Sequence, residues 1–116
     1  VSKRIADAAP SARQSTAAGL ARIFPEATAV RIPVRVTALR GVARDVQENT
    51  VIEFGTTREV LFASGLPLEF DDRVHVENSD GSLQADASVV AVQFHDGRRA
   101  VAARFLSEVN NWIIKS

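Results

Sequence analysis

From residue 27 onward the chain alternates between apolar and polar positions. Val30, Ile32, Val34, Val36 and Ala38 fall on one parity, and Arg31, Arg35 and Thr37 on the other. Period two marks a strand with one buried and one wet face. Gly41 signals a turn, and a second strand is expected over about 45–54, with Val46, Val51 and Ile52 as its apolar content. A third lies at 59–62 and is broken by Gly65-Leu66-Pro67-Leu68. The fourth covers 73–77, and Ser79-Asp80-Gly81 reads as a hairpin turn into a long fifth strand over about 83–94. Asp96-Gly97 leads into a sixth strand at 98–106, with Val101, Ala103 and Phe105 opposite Ala100, Ala102 and Arg104. Six strands joined by hairpin turns indicate an all-β antiparallel barrel or sandwich. Its expected core holds Val30, Ile32, Val34, Val36, Val74, Val76, Val101, Ala103 and Phe105.

The flanks read differently. Residues 1–26 are rich in Ala, Ser and Arg, and form an N-terminal helix or linker segment ahead of a barrel domain at 27–116. Ala17, Leu20, Ala21 and Phe24 recur at helical spacing between Pro10 and Pro25, with Ser11 as a cap. Such a helix either packs against the domain or offers an oligomer or partner contact. The tail from Ser107 ends in Trp112-Ile113-Ile114 and is expected to form a short C-terminal helix plugging the barrel.

Composition narrows the function classes. The chain has 116 residues, one domain's worth, with 46% hydrophobic and 24% charged residues. Its formal net charge is +0, which argues against a DNA-binding protein, because phosphate neutralisation needs a basic excess. With no Cys, thiolate metal sites, disulfides and cysteine nucleophiles are excluded. No apolar run approaches the ~20 residues of a membrane-spanning helix, and residues 1–7 have no long apolar stretch of a secretion signal. A cytoplasmic setting is the expectation.

Catalytic chemistry finds little support. His75 lies mid-strand and His95 near a hairpin tip, with no Glu or Asp at ligand spacing, so both are expected to face solvent without metal. Asp71-Asp72 reads as a solvated turn. There is no nucleophile elbow and no phosphate-binding glycine loop. Arginine is the unusual feature: Arg31, Arg35, Arg40 and Arg44 cluster early, and Arg98, Arg99 and Arg104 late. Arginine forks suit phosphates and guanine edges. The competing reading is a charged outer face balanced by Glu48, Glu53, Glu59 and Glu77.

The order and spacing of several segments resemble a PilZ domain. Ile32-Pro33-Val34-Arg35-Val36 is similar to that family's first strand, and Thr50-Val51-Ile52-Glu53 to the strand leading into its second binding motif. Val60-Leu61-Phe62 is similar to the apolar triplet after that motif. Leu66-Pro67-Leu68-Glu69-Phe70-Asp71-Asp72-Arg73-Val74 resembles its turn into a strand, and 87–92 with 100–106 resemble its closing hairpin. The resemblance spans about three-quarters of the chain, from Val30 to Trp112. It implies a six-stranded antiparallel barrel and a bacterial signalling protein that is not an enzyme. PilZ domains receive cyclic di-GMP through Arg-x-x-x-Arg before the first strand and Asp/Asn-x-Ser-x-x-Gly on the barrel surface.

Both motifs depart from that pattern here. The second falls on Phe54-Gly55-Thr56-Thr57-Arg58-Glu59, with Phe54 at the acidic or amide position and Glu59 at the glycine. The literal Arg31-x-x-x-Arg35 lies inside a strand, where the two Cα atoms stand roughly 13 Å apart. The resemblance therefore implies a regulatory module with degenerate motifs. It works through a protein partner or neighbouring domain and binds cyclic di-GMP weakly or not at all, without cofactor. The alternatives are a genuine receptor using non-standard arginines and an unrelated interaction barrel. The candidate nucleotide-contacting residues are Arg31, Arg35, Thr56 and Arg58, and a substitute phosphate site would require Arg31, Arg35, Arg58 and Arg98 to converge.

Overall fold

The computed structural model describes residues 16–41, 44–95 and 97–115. Six strands form where alternation predicts them: β1 (Thr28–Ala38), β2 (Gln47–Gly55), β3 (Glu59–Ser64), β4 (Arg73–Asn78), β5 (Gln84–His95) and β6 (Arg98–Phe105). They close into a barrel in the order β1-β2-β3-β6-β5-β4, every pairing antiparallel. Closure comes from the β1–β4 pairing, Val34 opposite Asn78 through Ala38 opposite Val74.

The inner face carries the alternating apolar set. Val34, Val36, Val74, Val76, Val101 and Ala103 are buried as expected. Val30 and Ile32 are only partly buried, because β4 reaches β1 no further back than Val34 and leaves them without that neighbour. Phe105 is also partly buried, at one mouth of the barrel.

Three bulges bend the strands and change which parity faces inward. In β5 the register shifts between Val89 and Ala91, so Ala87 and Val89 point into the core while Val90 and Ala91 face outward. Val92 then packs against the inner core. In β2 a shift between Ile52 and Phe54 turns Phe54 outward and Gly55 inward. The third lies in β1, between Ala29 and Ile32.

A second, smaller apolar cluster sits outside the barrel. Leu61, Ala100 and Ala102 project from β3 and β6 and are covered by Ala17 and Leu20 of the N-terminal segment. In the described part of the helix expected over 11–24, from residue 16 on, one turn is helical, α1 (Ala18–Ala21), followed by turns to Phe24. Its expected cap, Ser11, lies outside the described residues. In place of a side-chain cap, Glu53 Oε1 accepts the Ala17 N–H at 3.2 Å. With a core on one side and a helix on the other, all six residues of β3 are buried.

Each mouth has its own plug. The β3–β4 connection crosses one end and drives Leu68 fully into the core. Asp71 takes φ 73 there, a left-handed conformation that Asp tolerates, and Arg40 Nη2 donates to its carbonyl at 2.8 Å. The other end is filled by Trp112, which is 2% exposed. The expected C-terminal helix does not form; residues 106–114 run as turns and bends. Asn110-Asn111 favours turns over helix. Anchors outside the segment also hold it, since Asn111 Nδ2 donates to Ser82 O and Trp112 Nε1 to Thr56 O. Among the described residues, no helix is long and apolar enough to cross a membrane.

Candidate functional site

The β2–β3 hairpin holds the positions that the resemblance singles out. Thr56 is buried, and its hydroxyl is consumed within the turn. It accepts the N–H of Arg58 at 3.1 Å and of Glu59 at 2.9 Å, and donates to Glu59 Oε1. Thr56 N–H also donates to Glu59 O at 3.0 Å. These bonds satisfy the tight connection from β2 to β3, as buried polar groups require. Glu59, at the motif's glycine position, does not project into solvent. It is 8% exposed, and its Oε2 accepts Arg104 Nε at 2.8 Å from the directly opposed residue of β6. Phe54, at the motif's acidic position, is half-buried in the outer cluster under α1.

The four candidate residues do not form one site. Arg58 is exposed beside the Trp112 mouth. Arg35 lines a cavity of about 250 Å³ with Asn49, Thr50, Glu77 and Asn78. Arg31 is exposed on β1 next to the bulge and lines neither that cavity nor the one at Arg58. Arg98 lies at the opposite end of β3 from Arg58 and faces Glu48 Oε2 at 3.6 Å. Glu48 ties that end together, accepting Ser64 Oγ at 2.6 Å and Gly65 N–H at 2.7 Å. Convergence of Arg31, Arg35, Arg58 and Arg98 on one phosphate is therefore excluded by the length of the barrel.

No family model matches this chain, and no curated protein or solved structure does either.

Much of the arginine serves the barrel wall. Arg104 pairs with Glu59, Arg99 with Glu69 at 3.2 Å and Arg40 with Asp71 at 3.3 Å. Arg99 also stacks over the Phe94 ring, 4.6 Å from its centroid. Arg31, Arg35 and Arg58 have no carboxylate partner among the described residues. His75 departs from its expected isolation. Its Nδ1 lies 2.7 Å from Asp86 Oδ1, its cross-strand partner, and Nε2 lies 3.9 Å from Glu77. Spacing along one strand could not show this, because Asp86 reaches His75 through the β4–β5 register. Among the described residues, no cluster of three or more metal-ligating side chains is present.

One concavity was not anticipated. A groove of about 610 Å³ runs between the β2–β3 hairpin and the tail, with Arg58, Arg104 and Lys115 on its walls. Phe105 and Trp112 line it and meet edge to face, ring centroids 5.3 Å apart. The only earlier signal was the apolar run Trp112-Ile113-Ile114 in a polar tail.

Proposed function

We propose that this domain is a non-enzymatic, PilZ-like regulatory module that acts by protein contact and binds cyclic di-GMP weakly or not at all. The observation that carries this reading is the closed network of Thr56, Glu59 and Arg104. At the position of the family's second motif, the hydroxyl is spent on its own turn and a paired carboxylate stands where a glycine would admit a ligand. The closed six-stranded barrel is compatible with the resemblance without being specific to it. Lost charge-assisted contacts, at about 1.5–3 kcal/mol each, lower affinity by on the order of several powers of ten when two or three are missing.

Calorimetric titration of cyclic di-GMP into the domain tests this directly. The expected result is no saturable heat at micromolar nucleotide, for the unmodified domain and for a Phe54→Asp, Glu59→Gly comparison variant that also lacks the first motif. Binding at low micromolar or tighter by the unmodified domain would overturn the reading. Loss of such binding in Arg31→Ala or Arg35→Ala would assign it to the exposed arginines of β1.

A further inference from the structure

The groove beside Trp112 has a mixed lining, apolar residues set among polar and cationic ones, and its parts are held by different elements. Phe105 ends β6, Trp112 is pinned by its 2.7 Å bond to Thr56 O, and Ile114 packs against the core from the tail. Leu106, on the same wall, is 48% exposed. Arg104 is fixed through Nε by Glu59, and its Nη atoms have no acceptor among the described residues. Among the described residues, Arg58 stands exposed without a carboxylate and Lys115 Nζ reaches only Asn110 O, at 3.2 Å.

Charge decides what fits. Glu59 neutralises Arg104, and Glu108, the one acidic side chain lining the groove among the described residues, offsets one more cation. One positive charge remains from Arg58 and Lys115. That matches a single carboxylate on an apolar body and falls short of the two phosphates of a dinucleotide. The volume lies within the range of small binding clefts. Trp112 forms a rigid floor, and the partly exposed Phe105 beside Arg58 and Arg104 is the kind of pairing that anchors protein contacts. We propose that this groove seats a short segment of a partner protein that carries one acidic residue next to a large apolar one. The proposal rests on the reading of the domain as a protein-contact module and gives that contact a place.

A random peptide display selection against the domain, followed by NMR mapping, tests it. The chain has one Trp, so its single indole N–H signal reports on the groove. Selected peptides are expected to pair Asp or Glu with a neighbouring Leu, Phe or Trp and to shift the Trp112 indole signal. Arg58→Glu with Lys115→Glu should weaken them at least about tenfold, as should Asp→Asn in the peptide, while circular dichroism and melting stay unchanged. Failure to select any peptide, or selection of peptides without an acidic residue, overturns the proposal. So does binding that leaves the indole signal unmoved or survives the double charge reversal. Peptides that map to another face overturn the groove and leave the protein-contact reading standing. Low-micromolar cyclic di-GMP binding overturns that reading, whatever peptides do at the groove.

Discussion

Gly55→Ala places a methyl group against the Trp112 plug. A Cβ built there would lie 2.5 Å from Trp112 Cζ2, 3.0 Å from Cη2 and 2.9 Å from Ile114 Cδ1. Carbon atoms pack at about 3.5–4.0 Å, so the indole has to retreat by roughly 1 Å. It is not free to do so, because Nε1 is bonded to Thr56 O and the ring edge meets Phe105. Strand propensity alone favours Ala over Gly by about 0.5–1 kcal/mol. Overpacking costs about 1–3 kcal/mol, and full expulsion of the indole approaches the ~3–5 kcal/mol of a Trp→Ala truncation. Contact therefore outweighs propensity, and a net loss of about 2 kcal/mol is expected, lowering the melting temperature by roughly 10 °C. Urea unfolding and thermal melting, both followed by Trp112 emission, read the two quantities, with a red shift of the folded-state spectrum as the indole meets water. In a Trp112→Leu background, followed by circular dichroism because the chain's one Trp is gone, the same Gly55→Ala change should cost less, since the clashing indole atoms are removed and the Ile114 contact alone remains. The reasoning fails if Gly55→Ala is as stable as the parent with unchanged emission, or if its cost is the same in both backgrounds.

Three further outcomes follow from the wall and the hairpins. Glu59→Gln breaks the ion pair with Arg104 and should cost about 1–2 kcal/mol in urea unfolding, the lower part of the range for charged hydrogen bonds because Arg104 is half in water; no change in midpoint would remove Glu59 from the hairpin's stability. Leu20→Ala uncovers Leu61, Ala100 and Ala102 and should cost about 2 kcal/mol while raising dye binding to apolar surface, and a variant within ~0.5 kcal/mol of the parent would show that α1 contributes little. The Ser82 hydroxyl and N–H hold the Asp80 carboxyl below the usual carboxylate range. With the folded-state pKa depressed, its contribution is fully present above the usual Asp range and is lost as pH falls through the lower folded value. An NMR titration midpoint at or above the ordinary Asp value would contradict this.

Strand positions and inner residues were legible because period two survives along most of the barrel. The misreadings arise where geometry interrupts the period. No sequence pattern announces the bulge in β5 that puts both Val90 and Ala91 outside, or the one in β2 that sends Phe54 under α1. Val30 and Ile32 look like core in a periodic run, yet burial there depends on how far β4 extends. The tail, expected as a short helix, forms turns because Asn110-Asn111 favours them and its anchors lie in two other hairpins. The candidate arginines illustrate the same limit, since alternation puts Arg31 and Arg35 outside but cannot say what stands beside them. His75 met Asp86, and Glu59 met Arg104, through cross-strand register alone.

Among the described strands β6 comes last in sequence, yet it lies between two others in the barrel. β6 inserts between β3 and β5 and pairs with each along most of its length. During synthesis, β1 through β5 emerge first, and until β6 arrives both β3 and β5 present an open row of backbone donors and acceptors. β3 is apolar on both faces at that moment, with Val60 and Phe62 on one and Leu61 on the other. The nascent domain thus carries two templates for pairing with another chain, and only β6 silences both. Premature termination before Arg98 would therefore yield a species inclined to self-associate rather than a slightly weakened barrel.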